Sequence, residues 1–187
     1  MGKLLWSPSE ERSRASAMRR FMDEVNAKRG LGIADYDGLY RWSTERIGDF
    51  WEDLWNFVGV KASRRWDSVV DDPARMPGTK WFAGARLNFA ENLLRRRDDS
   101  IALVFWSEDG RRSEVSYATL YDAVARLAKG MRDMGIVPGD RVAGFMPNVP
   151  ATVAAMLAAA SVGAIWSSCS PDFGIKGVMD RLGQIKP

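Results

Sequence analysis

The chain contains no histidine and a single cysteine, Cys169, among its 187 residues. Histidine is the commonest general base and the commonest metal ligand in proteins. Its absence excludes a Ser-His-Asp triad, a Cys-His pair and a zinc cluster within this chain. One cysteine cannot form a disulfide within the chain, which is typical of proteins from a reducing compartment.

Long apolar runs are also missing. The longest, around residues 151–160, contains Thr152 and is too short to span a bilayer. The N-terminus shows no signal-peptide pattern, and Trp6 stands where a myristoylation signal needs Ser or Thr. We therefore expect a cytoplasmic protein without a membrane partner.

Neither sign of charge dominates, because 27 Lys and Arg residues face 24 Asp and Glu residues, for a formal net charge of +3. The densest basic run, Arg95–Arg97, is followed at once by Asp98 and Asp99. That pattern is typical of a solvated helix end and not of a nucleic-acid patch. We expect no nucleic-acid partner, and the hydrophobic fraction of 46% predicts a folded core.

Residues 1–97 are predicted to form a helical, tryptophan-rich N-terminal extension. Ser7–Glu10 matches a capping box for a first helix, which Gly30 is predicted to end. A second predicted helix follows Ser43. Trp81 and Phe82 lead into a third predicted helix, which runs through Leu87, Ala90, Leu93 and Leu94. The second helix carries an aromatic stripe, which is more typical of a core than of a cofactor site: Ile47, Phe50, Trp51, Leu54, Trp55 and Val58.

Residues 98–187 are predicted to be the first strand–helix repeats of a larger α/β domain. Strands at 101–106 and 113–116 flank an Asp109-Gly110 turn, which predicts a hairpin. The pattern then alternates, with helices near 117–134, 150–163 and 172–182, strands at 141–145 and 164–169, and a further strand starting at Ile185. Because parallel strands need such crossovers, the fold class is α/β, with a largely parallel sheet flanked by helices.

The side chains that face inward on the helix at 117–134 are predicted to be Leu120, Val124, Leu127 and Met131. The helix at 150–163 is crowded with alanines. Close packing against a neighbour and plain helix propensity both explain that composition, and both interpretations stay open.

Motifs that carry chemistry are absent. The sequence has no dinucleotide fingerprint, no phosphate-binding P-loop and no G-x-S-x-G or H-E-x-x-H motif. The carboxylate pairs Asp71-Asp72 and Asp98-Asp99 stand in predicted turns, where caps and solvated faces are the usual explanation. Residue chemistry alone therefore predicts no catalytic residue and no metal ligand in this chain.

Three segments resemble a known family: Leu39–Trp51, Trp81–Leu94 and Gly139–Gly174. Together they are similar to the N-terminal part of the acetoacetyl-CoA synthetases, in the acyl-CoA synthetase group of the adenylate-forming ligases. The Gly-Asp-Arg-Val and Met-Pro-Asn pieces are general to that superfamily. The stretch from Trp166 to Gly174, WSSCSPDFG, is the part most particular to the acetoacetate branch.

The resemblance implies a ligase that joins acetoacetate to coenzyme A with ATP and magnesium, releasing AMP and pyrophosphate, in ketone body and lipid metabolism. Members of the family use a phosphate loop, an adenine-binding segment and a lysine on a mobile C-terminal domain. None of these parts matches the 187 residues. The resemblance therefore implies an N-terminal portion that is inactive alone and binds none of the three cofactors tightly.

In related synthetases, the loop after the strand that matches residues 164–169 lies beside the adenine end of coenzyme A. The corresponding residues here are Ser170, Pro171 and Asp172, which the resemblance makes candidates for cofactor binding. Asp172 is equally explained as the N-cap of the next helix. Two other functions stay open: a freestanding α/β binding module, and a ligase for another short carboxylate.

Overall fold

The computed structural model describes residue 3 and residues 5–187. The chain divides into two compact units, Met1–Arg86 and Leu87–Pro187. This division precedes the predicted boundary at residue 97, because the buried Ala90 belongs to the core of the second unit. The boundary at residue 97 stays a prediction about the domains of the protein.

The first unit is mainly helical. Its elements, within the part of the chain that the structure describes, are α1 (Glu10–Arg14), α2 (Ala17–Arg29), α3 (Tyr36–Glu45), α4 (Ile47–Phe57), β1 (Ser68–Val70) and β2 (Trp81–Ala83). The two short strands pair in antiparallel fashion. Helix α3 was not predicted; the Asp35 carboxylate caps it by accepting a hydrogen bond from the Gly38 N–H.

Serine side chains determine where the first helices begin. The Ser9 hydroxyl caps α1, and the Ser16 hydroxyl caps α2 by accepting a hydrogen bond from the Arg19 N–H. The prediction of one helix starting from a box at Ser7 is therefore wrong, because Ser16 interrupts it with a second cap. The predicted end at Gly30 is confirmed, since Gly30 adopts φ 66° and closes the last turn of α2.

The helix predicted after Trp81 and Phe82 exists but is shorter than expected, because Leu87 and Leu94 lie outside it. Trp81–Ala83 is a strand, in which Phe82 adopts φ 47°. A helix, α5 (Phe89–Leu93), begins only after Asn88, whose side chain accepts a hydrogen bond from the Glu91 N–H. Trp81 and Phe82 thus belong to a strand of the first unit, whereas the helix belongs to the second unit.

The aromatic stripe of α4 packs within the first unit. Phe50 forms edge-on contacts with Phe21 and Trp42, with centroids 5.9 Å apart in each pair. Trp55 contacts Trp66 and Phe82. The interpretation of the stripe as core is confirmed for Phe50, which packs against the buried cluster, whereas Trp51 and Val58 remain about two-fifths exposed.

A buried carboxylate joins two helices of this unit. Asp53 on α4 is 3% exposed and accepts hydrogen bonds from Lys28 Nζ (2.5 Å) and Arg29 Nε on α2. Arg29 also forms salt bridges to Asp49 and Glu52, at 3.1 and 3.2 Å. Burial raises the pKa of Asp53, but the hydrogen bonds from Arg29 and Lys28 outweigh it, so the pKa lies below its ordinary value.

The second unit follows the predicted alternation more closely. After α5 come β3 (Ile101–Trp106), β4 (Arg112–Ser116), α6 (Tyr117–Asp133), β5 (Arg141–Phe145), α7 (Pro150–Ser161), β6 (Ile165–Cys169) and α8 (Ile175–Ile185). The hairpin of β3 and β4 is confirmed, and β5 and β6 form the parallel pair. The strand predicted to start at Ile185 is wrong, because Ile185 is the last residue of α8.

The α/β class is confirmed, with sheets that are small. Helix α7 forms the centre of the second unit, since Leu157, Ala158 and Ala159 are fully buried. Helix propensity alone therefore does not explain the alanines of α7, because their small side chains allow close packing against neighbouring elements. Leu127 is 42% exposed, so its predicted inward position is wrong; the buried face of α6 is formed by Leu120, Val124, Ala128 and Met131.

Candidate functional site

The carboxyl ends of β5 and β6 define the candidate site. The two strands pair in parallel from Arg141↔Ile165 to Phe145↔Cys169, so both end at the same edge. In open α/β sheets, ligands bind in loops outside the carboxyl ends of the strands. The two loops concerned here are residues 146–149 and 170–174.

The amino ends of β5 and β6 lie at the opposite edge, where Asp140 stabilises the fold. The Asp140 carboxylate accepts a hydrogen bond from the Val137 N–H at 2.8 Å, which closes the turn before β5. Its carbonyl accepts a hydrogen bond from the Ile165 N–H at 2.7 Å, which sets the register of β6. Asp140, the acidic residue of the Gly-Asp-Arg-Val motif, is therefore a structural residue in this chain.

The middle of β5 makes room for an aromatic side chain of β6. Gly144 is buried, and a Cβ atom added to it would lie 2.6 Å from Cη2 of Trp166. No real Cβ tolerates that distance, so Trp166 occupies this position only because residue 144 lacks a side chain. Both residues fall in the segment that carries the family resemblance.

The loop after β5 is held by hydrogen bonds to backbone carbonyls. Thr152 Oγ1 and the Val149 N–H both donate to the Pro147 carbonyl, at 2.6 and 2.9 Å. The Met146 N–H donates to the Cys169 carbonyl at 3.3 Å, so the ends of the two strands remain joined. Asn148 is exposed at the tip of this loop.

The loop after β6 brings the three predicted ligand residues into one turn. The Phe173 N–H donates to the Ser170 carbonyl at 3.2 Å and closes that turn. Inside it, the Ser170 hydroxyl donates to Asp172 Oδ2 at 2.5 Å. Ser170 is half-buried, whereas Pro171 and Asp172 are exposed. The turn therefore presents a proline ring and a carboxylate to solvent at the carboxyl edge.

The alternative role of Asp172 as a helix cap is wrong. Helix α8 has Gly174 as its N-cap residue, without a side-chain hydrogen bond to the helix. Asp172 stands two residues too early, and its carboxylate is engaged by Ser170. Capping therefore no longer accounts for Asp172 at this position.

Sequence reasoning missed the residues that support this turn. Phe173 closes it, and Arg181 on α8 places its guanidinium carbon 3.9 Å from the centroid of the Phe173 ring. Phe173 precedes the N-cap residue Gly174, so its contact with Arg181, further along α8, can be anticipated only once the start of α8 is known.

Two clefts of the second unit lie away from this turn. One, of about 380 Å³, is bounded by α5 and α6, and another, of about 350 Å³, lies between β3 and the start of α7. Ser170, Pro171 and Asp172 line neither. Within residues 3 and 5–187, no group of three or more His, Cys, Asp or Glu side chains is arranged to hold a metal ion.

None of the helices among the described residues is both long and apolar enough to cross a membrane.

Comparisons with known proteins agree over most of the chain. Residues 89–187 match the AMP-binding enzyme family, and residues 36–93 match the acetyl-coenzyme A synthetase N-terminus. The acetoacetyl-CoA synthetase of Macaca fascicularis is 45% identical over 99% of this chain, and that of Rhizobium meliloti (strain 1021) is 46% identical over 98%. A malonamoyl-CoA synthetase of Penicillium aethiopicum is 43% identical over 99%.

The chain spans about 28% of the length of the first two relatives and 26% of the third. Among solved structures, the acetoacetyl-CoA synthetase from Streptomyces lividans superposes with a TM-score of 0.88 and 38% identity, over 100% of this chain and 29% of that one. The family match covers residues 89–187, more than half of the chain, and includes both loops of the candidate site. The chain therefore belongs to the AMP-binding enzyme family.

Proposed function

We propose that this chain is the N-terminal portion of an AMP-forming acetoacetate–CoA ligase. One observation carries the proposal: all of this chain superposes on the acetoacetyl-CoA synthetase from Streptomyces lividans with a TM-score of 0.88. In the proposed reaction, acetoacetate and ATP form acetoacetyl-adenylate and pyrophosphate. The thiol of coenzyme A then displaces AMP to form the thioester.

Within that ligase, we assign the turn of Ser170, Pro171 and Asp172 to the adenine end of coenzyme A. The chemistry of the turn fits this end, because the exposed Asp172 carboxylate accepts hydrogen bonds and an adenine amino group donates them. A phosphate group would instead be repelled by the carboxylate. The Pro171 ring offers an apolar surface beside it.

The steps at the phosphates of ATP belong to parts of the ligase outside these 187 residues. Magnesium would serve there by neutralising phosphate charge. We therefore expect this chain alone to catalyse neither half-reaction. Its single cysteine supports a cytoplasmic ligase, and residues 1–97 remain our proposed helical extension of that enzyme.

A related acid is the second candidate substrate. The malonamoyl-CoA synthetase of Penicillium aethiopicum is nearly as similar to this chain as the acetoacetyl-CoA synthetases are. Malonamate and acetoacetate differ only in an amino group replacing the terminal methyl group. The similarity therefore supports a short acid with a carbonyl at the third carbon.

The test measures thioester formation by the full-length ligase, that is, a protein as long as the relatives and containing this chain. The purified enzyme is supplied with ATP, magnesium, coenzyme A and, in turn, acetoacetate, malonamate, acetate or propionate. We expect acetoacetate to give the highest kcat/KM and acetate the lowest. A preference for malonamate would move the proposal to the second candidate substrate, and turnover with none of the acids would overturn both.

A freestanding binding module is the competing function. It predicts that the reading frame stops directly after Pro187 and that the 187-residue chain unfolds cooperatively by itself. An open frame that continues into a Gly- and Ser/Thr-rich loop supports the ligase instead.

A further inference from the structure

Three residues that follow the turn after β6 pack together: Phe173, Gly177 and Arg181. The guanidinium carbon of Arg181 lies 3.9 Å from the centroid of the Phe173 ring, within the range of a cation–π contact. Arg181 Nη1 also donates a hydrogen bond to the Gly177 carbonyl at 3.0 Å, one helical turn earlier. The Arg181 side chain is therefore fixed at two points although it lies on the surface of α8.

Gly177 provides the space for this stack. A Cβ atom added at Gly177 would lie 3.3 Å both from Phe173 Cβ and from Arg181 Nη1. That distance is tighter than ordinary contact, so Phe173 and Arg181 approach each other over a position without a side chain. Glycine inside a helix makes the helix less stable. We therefore interpret Gly177 as the residue that allows Phe173 and Arg181 to approach each other closely.

The stack acts on the candidate ligand residues through the backbone of Phe173. The Phe173 N–H closes the turn by donating to the Ser170 carbonyl. Asp172 directly precedes Phe173, and its own contacts within the turn are only to Ser170. Immobilising the Phe173 ring therefore restricts the conformations of the two residues that the turn exposes, Pro171 and Asp172.

Electrostatic pairing does not explain Arg181. Within the part of the chain that the structure describes, Arg181 forms no salt bridge with a carboxylate. Among the described residues, the one hydrogen bond of its side chain is to the Gly177 carbonyl of its own helix. The position of Arg181 is thus set by the ring of Phe173 and by α8.

We infer that Arg181, acting through Phe173, is a positioning residue for the capture of coenzyme A. This inference rests on the proposed function and deepens it, because it names what holds the turn of residues 170–172 ready for the ligand. Arg181 touches neither the ligand nor the reacting atoms. A preorganised turn binds more tightly because it loses less conformational entropy on binding.

The test uses the full-length ligase with Arg181→Ala, Phe173→Leu and the double variant. We expect each single variant to raise the KM for coenzyme A about threefold to tenfold, because each loses the same contact. ATP–pyrophosphate exchange, which needs no coenzyme A, should stay within about twofold of wild type, since adenylation does not involve the turn. The double variant should be no worse than the worse single variant.

Lys176→Ala is the matched control, because it removes one positive charge from another exposed position of α8, outside the contact between Arg181 and the Phe173 ring. It should leave the KM for coenzyme A unchanged. An equal rise in Lys176→Ala would overturn the inference, since net charge alone would then explain the effect.

Amide hydrogen exchange of the ligand-free enzyme separates this inference from the proposed function. Arg181→Ala should speed exchange at Asp172 and Phe173, whatever the enzyme binds. Unchanged exchange together with an unchanged KM would overturn the inference. A wild-type enzyme that forms no thioester would overturn the proposed function, and the exchange rates would still decide whether Arg181 holds the turn.

Discussion

Gly144 and Trp166 show how one missing side chain shapes the candidate site. Strand β5 leaves a gap at Gly144, and the indole of Trp166 from the neighbouring strand fills it. A Gly-Asp-Arg-Val motif followed by Ala-Gly indicates a strand, but the motif does not say what the second glycine is for. The structure assigns that glycine to the packing of β5 against β6.

Gly144→Ala is expected to destabilise the chain by about 2–3 kcal/mol, because the new methyl group overlaps the indole and the two strands must shift. Urea unfolding followed by tryptophan fluorescence measures the change. Gly130→Ala is the matched control: Gly130 lies inside α6 with open space around it, so alanine should stabilise by about 0.5–1 kcal/mol. Equal effects of the two substitutions would contradict the role of Gly144.

Asp53 is the residue whose charge matters most to the first unit. Its pKa is lowered, so its contribution to stability is fully present above the unfolded pKa, about 3.9, and is lost as pH falls through the lower folded pKa. Asp53→Asn at pH 7 should therefore cost about 2–3 kcal/mol, since it leaves Lys28 and Arg29 without a buried partner.

Below about pH 4 the difference between the Asp53→Asn variant and wild type should shrink, because Asp53 of the wild type then binds a proton in the unfolded state that it does not bind in the folded state. Urea titrations at pH 7 and at pH 3 measure both values. Asp23→Asn, which removes the exposed pair with Arg19, should change stability by less than about 0.5 kcal/mol at either pH. A constant loss in Asp53→Asn at both pH values would be inconsistent with the ionic pairing.

At the scale of elements, the second unit was more predictable than the first. Strand β5 begins and ends where the sequence places it, because the turn at Asp140 and the loop at Pro147 flank a short apolar run. In the first unit, the strand Trp81–Ala83, which pairs with β1, was not predicted. Its stability depends on Trp55 and Trp66, which lie far away in sequence.

At the candidate site, too, part of the structure could be predicted from the sequence and part could not. The sequence identified the turn of residues 170–172 only through family resemblance, since no residue chemistry marks it. The support from Arg181 depends on the exact start of α8, and the predicted start at Asp172 placed that start too early. Hydrogen bonds inside a turn compete with helix capping, and the Ser170–Asp172 bond decides between them.

Asn88 links two elements of the second unit. Its carbonyl oxygen Oδ1 caps α5, and its Nδ2 donates to the Ala160 carbonyl near the end of α7 at 2.8 Å. Asn88→Ala removes both bonds and should cost about 2 kcal/mol. Asn88→Asp keeps the cap and loses only the bond to α7, so it should cost about 1 kcal/mol.

Thermal or urea unfolding of the two Asn88 variants provides the comparison, with near-ultraviolet circular dichroism as a check on packing. Equal losses in both variants would mean that the cap contributes nothing. A larger loss in Asn88→Asp than in Asn88→Ala would contradict the assignment of Oδ1 as the capping atom.

At the scale of the whole molecule, the chain carries the scaffold of the AMP-binding enzyme family. It spans 28% of the length of relatives that are acetoacetyl-CoA synthetases. Its own contribution to the proposed reaction is a turn at the carboxyl edge of β6, supported from α8. The adenylation chemistry is expected from the remainder of the ligase.

Acetoacetate-dependent ATP–pyrophosphate exchange tests this account most directly, measured on the full-length protein and on the 187-residue chain in parallel. The account predicts rapid exchange by the full-length protein, dependent on acetoacetate and magnesium, and none above background by the chain alone. Exchange by the 187-residue chain, or its absence from the full-length protein with every short acid supplied, would contradict the account.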